Sequence, residues 1–160
     1  MPVTAASCIA PLSLAPCLFN RKHFMESFVL HPQLAKDTVL LGRIGDCQLL
    51  LMQDARYPWL ILVPEQADLR ELHELSDERF STVTQTIKRL SRSLQTLTGA
   101  PKMNVAALGN MVPQLHIHII ARREDDASWP GPVWGVGTAE AYTEDELSVL
   151  VATLQEALLI

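Results

Sequence analysis

Two histidines, His116 and His118, stand two residues apart in a stretch that alternates polar and apolar side chains from Gln114 onward. Side chains along a strand point to opposite faces with period two. Gln114, His116 and His118 are therefore expected on one face, with Leu115, Ile117 and Ile119 buried on the other. Same-face neighbours lie about 6.6 Å apart along a strand, so one small anion can touch two of them. Gly109-Asn110 and then Pro113 come just before. Glycine lets backbone N–H groups turn and converge, which is how loops cradle a phosphate. An imidazole with its ordinary pKa of about 6.5 is neutral enough at working pH to attack phosphorus and is also a fair leaving group. One ring nitrogen attacks while an acceptor holds the other N–H and fixes the tautomer. Water then splits the covalent intermediate. Charge developing on the phosphoryl oxygens needs preorganised donors. The Gly109-Asn110 backbone, the Asn110 side chain, Gln114 and His118 are placed to supply them.

The stretch resembles the histidine triad (HIT) family of nucleotidyl hydrolases and transferases. Their motif, His-φ-His-φ-His-φ-φ with φ apolar, reads here Gln114-Leu115-His116-Ile117-His118-Ile119-Ile120, with the family's upstream glycine at Gly109. Tyr57 to Pro64 is similar to the family's Pro-Gly-His-φ-Leu-Val strand, and Trp129-Pro130-Gly131-Pro132 to the Trp-Pro segment that follows the triad in one branch. The resemblance spans about Phe28 to Gly135, the usual extent of one domain.

The resemblance implies a set of roles. His116 matches the family's nucleophile and His118 the histidine that binds or polarises the phosphate. Gln114 replaces the first histidine; its amide can donate to a phosphoryl oxygen but carries no labile proton at neutral pH. Leu60 stands where many relatives have the strand histidine. Asp54 matches an acid or amide that relatives set against the ribose hydroxyls, and Asn104 an Asn or Gln that touches sugar or phosphate. A solvated turn is the alternative for Asp54. Trp129 and Trp134 are placed to edge the leaving-group pocket or to anchor the core. Implied substrates are dinucleoside polyphosphates or nucleoside phosphoramidates, attacked at the α-phosphate. No cofactor is required, although a divalent metal can ride on the substrate phosphates. A homodimer is also implied by the resemblance. A nucleotide-binding module without turnover is the main alternative, because Gln114 cannot complete proton transfer. Imidazole pairs also bind zinc, nickel or copper, but no third ligand stands at a recognisable spacing.

The elements that must position these residues are legible as patterns. Phe28 to Pro32 reads as an extended approach, since Pro32 disfavours helix at His31. Asp37 to Arg43 and Cys47 to Met52 read as a hairpin turned by Gly45-Asp46, and Trp59 to Val63 as a central strand apolar on both faces. Asp68 to Leu75 suggests a short helical turn. Ser76-Asp77-Glu78 starts a long helix whose stripe is Phe80, Val83, Ile87, Leu90, Leu94 and Leu97, ending near Gly99 and Pro101. Lys102 to Ala107 is the next strand, and the site strand follows it. Asp125 to Gly137 is a loop. Thr143 to Glu146 forms a capping box before a final helix lined by Leu147, Leu150, Val151, Leu154 and Leu158. The order predicts an α+β fold: an antiparallel sheet of about five strands, one long central helix and a C-terminal helix.

The chain has 160 residues, 48% apolar and 19% charged, an ordinary globular profile. A net charge of −5 argues against broad nonspecific nucleic-acid binding. Cys8, Cys17 and Cys47 are too few and scattered for a disulfide framework or a cysteine zinc site. A cytoplasmic setting is expected, with no membrane partner. Residues 1–24 read as a disordered extension and 25–160 as one domain. Met1 to Asn20 are uncharged and lack the basic start of a signal peptide, while Pro11 and Pro16 interrupt any helix. His23, His31 and His73 have no motif around them. Lys102, Arg122 and Arg123 read as a solvated edge.

Overall fold

A computed structural model describes residues 27–158 of the chain. The expected N-terminal extension lies outside the described residues. Pro32–Asp37 forms helix α1, followed by strands β1 (Thr38–Ile44), β2 (Cys47–Met52) and β3 (Trp59–Pro64). A 3-10 turn at Leu72–Glu74 leads into α2 (Asp77–Thr98), then β4 (Lys102–Ala107), β5 (Ile117–Arg122) and α3 (Glu144–Leu158). The five strands form one sheet in the order β1-β2-β3-β5-β4, and every neighbouring pair is antiparallel. The architecture is the expected α+β arrangement.

Local chemistry sets the boundaries. Gly45, at φ 60°, turns β1 into β2. Ser76 caps α2 by accepting from the Arg79 N–H, and Gly99 ends it at φ 64°, its N–H donating to Gln95 O. Thr143 and Glu146 bond reciprocally ahead of α3: the Thr143 N–H and hydroxyl donate to the Glu146 carboxylate, and the Glu146 N–H donates to the Thr143 hydroxyl. Helix α1 is absent from the sequence reading. Pro32 keeps His31 extended, as expected, but itself serves as the first helical residue, while the His31 ring accepts from the Gln33 N–H.

The sheet separates two cores. On one face Leu49, Leu51, Leu60, Leu62, Ile117 and Ile119 pack against Val83, Leu90 and Leu94 of α2 and Leu154 and Leu158 of α3. Each such side chain contributes roughly 1.5–3 kcal/mol on burial. On the other face Leu50, Trp59, Ile61 and Ile120 meet Leu34 of α1, Val112 and Val133. Helix α1 and two loops, rather than long helices, cover this second face, and they leave room for a cavity. The ends of the α2 stripe, Phe80 and Leu97, are exposed.

The site strand starts later than its alternation suggests. Strand β5 begins at Ile117, paired with Leu62 of β3 and Ala107 of β4. Pro113 has no N–H, and the Leu115 N–H donates to Leu69 O, outside the sheet. Gln114 to His116 therefore form a lead-in. Among the described residues no helix is long and apolar enough to cross a membrane.

Candidate active site

His116 and His118 lie against a cavity of about 650 Å³ on the second face of the sheet. That volume is ordinary for a small-molecule site. Strand β5 supplies His118, and the lead-in supplies His116. The loop after β4 contributes Gly109, Asn110, Met111 and Val112 to the lining, α1 contributes Leu34 and Asp37, and Trp59 and Trp134 line it as well. Both imidazoles are only 6% exposed. Their rings meet edge to face, centroids 4.8 Å apart.

The surroundings assign a different nitrogen to each ring. His116 Nδ1 lies 2.7 Å from the backbone carbonyl of Gln114. A carbonyl only accepts, so Nδ1 carries a proton, and in the neutral ring Nε2 keeps its lone pair. His118 Nδ1 lies 3.0 Å from Trp59 Nε1. An indole N–H only donates, so this Nδ1 is the lone-pair nitrogen and Nε2 carries the proton. Burial, and secondarily the neighbouring His116, push the His118 pKa down to about 3. The pair thus offers one lone pair and one N–H. Trp59 and Trp134 both stand edge-on to His118, with centroids at 5.4 and 5.3 Å.

Gly109 and Asn110 line the cavity beside the histidines. Gly109 is not among the residues of positive φ. A Cβ on it would meet nothing within 4 Å, so what the glycine leaves is open space rather than a special backbone conformation.

Three expected site residues take other positions. The Gln114 side chain turns away from the histidine cavity: its amide nitrogen donates to Val29 O and its oxygen accepts from the His31 N–H, both at 2.9 Å. It ties the approach to α1 onto the lead-in, and the part of Gln114 that serves the histidines is its backbone carbonyl. Asp54 is buried in the turn after β2. Its carboxylate accepts from the Arg56 side chain at 2.7 and 2.8 Å and from the N–H groups of Arg56 and Glu140. Burial pushes its pKa up, but these donors outweigh that and hold it below the usual value. Asn104 Oδ1 accepts from Arg122 at 2.7 Å.

Arg122, expected at a solvated edge, is 1% exposed. It also bonds both oxygens of Asp126, the Ser128 hydroxyl and Gly131 O. Trp134 lines the cavity, whereas Trp129 of the Trp-Pro segment lies over Arg122. Leu60 points into the helix-side core. Its strand neighbour Trp59 is the residue that reaches His118.

Several lining residues carry no sequence signal as site residues. Gln33 and Asp37 come with the unforeseen α1, and the Gln33 amide donates to Asp37 Oδ2 at 2.6 Å. Trp59 is foreseen only as one more apolar residue of a buried strand; strand alternation relative to Leu60 is the signal that separates the two. Among the described residues no group of three or more His, Cys, Asp or Glu is arranged to hold a metal ion.

The HIT domain family model matches residues 33–125. No curated protein matches the chain. Among solved structures, a histidine triad protein from Sinorhizobium meliloti 1021 is 46% identical over 83% of this chain and 98% of its own, with a TM-score of 0.80. One from Marinobacter aquaeolei VT8 is 47% identical over 82% and 96%, with a TM-score of 0.81. One from Bradyrhizobium japonicum is 42% identical over 82% and 98%, with a TM-score of 0.80. With the family model covering more than half the chain and these relatives almost their full length, the protein belongs to the HIT domain family.

Proposed function

We propose that this protein is a nucleotide-binding hydrolase or transferase that attacks an α-phosphate through His116 and passes through a nucleotidyl-histidine intermediate. The observation that carries the reading is the 2.7 Å bond from His116 Nδ1–H to Gln114 O. It leaves Nε2 as a free nucleophile on a ring lining a nucleotide-sized cavity. The Nε2–H of His118 and the Gly109-Asn110 segment are the donors for the phosphoryl oxygens. The apolar wall of Leu34, Met52 and Ile61 suits a base, and Asp37, rather than Asp54, is the carboxylate at the cavity for ribose hydroxyls. No cofactor enters the scheme; a divalent cation belongs to the substrate phosphates. A second copy of the chain is the expected partner, and the setting is cytoplasmic.

Substrates are dinucleoside polyphosphates or nucleoside phosphoramidates. The test incubates metal-stripped protein with diadenosine polyphosphates and adenosine phosphoramidates, following mononucleotide release and trapping the intermediate at neutral or alkaline pH. His116→Ala is expected to abolish both the intermediate and at least about 10³-fold of turnover, as loss of a nucleophile does, with nucleotide binding retained. Binding by the unaltered protein without any turnover supports the second reading, a nucleotide-binding module. The Gln114 amide favours that reading, being engaged by Val29 and His31 rather than by the cavity.

A further inference from the structure

We infer that Trp59 holds His118 in the Nε2–H tautomer and so makes the site selective for leaving groups that depart without taking up a proton. This rests on the nucleotidyl-transfer reading above and narrows its substrate class to phosphoric anhydrides.

The indole N–H of Trp59 can only donate, and at 3.0 Å its partner is His118 Nδ1. Converting His118 to an imidazolium would set two N–H groups against each other. It would also strand a buried indole donor, since Trp59 is 4% exposed. Aromatic rings surround the imidazole: Trp59, Trp134 and His116 lie at centroid distances of 4.8 to 5.4 Å. Asp37 is the carboxylate at the cavity, and one of its oxygens already accepts from Gln33. His118 therefore donates a hydrogen bond but holds no proton to give away; releasing its Nε2 proton would leave an imidazolate. The Gln114 amide is not acidic and lies outside the cavity.

Consider the displacement. The lone pair of His116 Nε2 forms a bond to phosphorus as the bond to the leaving group breaks, and that bonding pair departs with the leaving atom. When the leaving atom is an anhydride oxygen, the product is a phosphate or nucleotide anion, stable without a proton. A phosphoramidate nitrogen would depart as a strongly basic amide unless protonated as the bond breaks, and neither His118 nor Gln114 supplies that proton. In the second step water oxygen attacks phosphorus, the P–N electron pair returns to His116 Nε2, and the water proton passes to solvent.

Two measurements test the inference. Long-range ¹H–¹⁵N spectra of labelled protein are expected to show His118 as the Nε2–H tautomer, unchanged through neutral pH. In Trp59→Phe the ring is expected to become a tautomer mixture that titrates. A wild-type His118 that is Nδ1–H or titrates near neutrality overturns the role of Trp59. Separately, kcat/KM for a diadenosine polyphosphate is expected to exceed that for adenosine 5′-phosphoramidate by about 10²-fold or more, the usual contribution of general acid catalysis. Trp59→Phe is expected to narrow this ratio by about tenfold or more. Equal or faster phosphoramidate cleavage through a His116-dependent intermediate overturns the selectivity and leaves nucleotidyl transfer standing. Turnover of neither substrate overturns both, while the tautomer is still read from the spectra. Both wild-type measurements decide without the variant, should it not fold.

Discussion

At His116 and His118 the chemistry turns on which of two nitrogens is spoken for, and that is decided by groups the sequence does not place beside them. The motif spacing marks both histidines, Gly109 and Asn110 as neighbours, and they do share one cavity. The tautomers depend on a backbone oxygen two residues away and on an indole 59 positions upstream. Neither a backbone acceptor nor a long-range partner has a sequence signature. The same limit explains Asn104. An asparagine in a strand suggests a ligand, because strands disfavour it. Its actual partner is Arg122, itself buried and in need of acceptors for its five N–H donors. Asn104→Ala removes one of those acceptors and leaves an arginine N–H unpaired. The expected outcome is a loss of about 1–3 kcal/mol in denaturant unfolding with little change in nucleotide affinity. Affinity falling with stability intact would return Asn104 to the binding site.

Elements that carry their own start and stop signals are the ones the sequence announces. Helix α2 begins after Ser76 and ends at Gly99 because the capping serine and the left-handed glycine are local devices. The hairpin at Gly45 and the capping box at Thr143 are local in the same way. Helix α1 escapes because six residues carry no apolar period, and the late start of β5 because it depends on Leu69, distant in sequence. The loop after β5 is held by tertiary bonds: Arg122 grips Asp126 with bonds of 2.7 and 2.9 Å. This grip first of all, against the opposing effect of burial, lowers the Asp126 pKa to about 2. A depressed carboxyl pKa contributes stability that is complete above its unfolded value of about 3.9 and is lost as pH falls through the folded one. The melting temperature is therefore expected to drop as pH goes from about 4 towards about 2. In Asp126→Asn that contribution should vanish: the protein is less stable at neutral pH and its acid limb is flatter. An unchanged acid limb in the variant would assign acid sensitivity to other carboxylates.

On the scale of the whole molecule, both ends of the sheet are open. The strand order leaves β1 and β4 as edges. An edge strand presents unpaired N–H and C=O groups that another strand can use. Strand β4 exposes Val105 as β1 exposes Leu40, and α2 exposes Leu97 at the end of a stripe whose middle is buried. The period of that stripe foretells burial, and one copy of the chain leaves its ends in water. Two copies joined along β4 would extend the sheet and cover Val105, consistent with the homodimer proposed above. Sedimentation equilibrium at micromolar concentration is expected to give a mass near twice 17.8 kDa. Val105→Lys places a charge at the middle of that edge without touching either core, so it is expected to give a folded monomer with unchanged far-UV circular dichroism. A wild-type monomer would refute the pairing. A Val105→Lys dimer would move the contact elsewhere, and because the histidine cavity is built from one chain's own α1, β3, β5 and loops, nucleotide binding is expected to survive the separation of the copies.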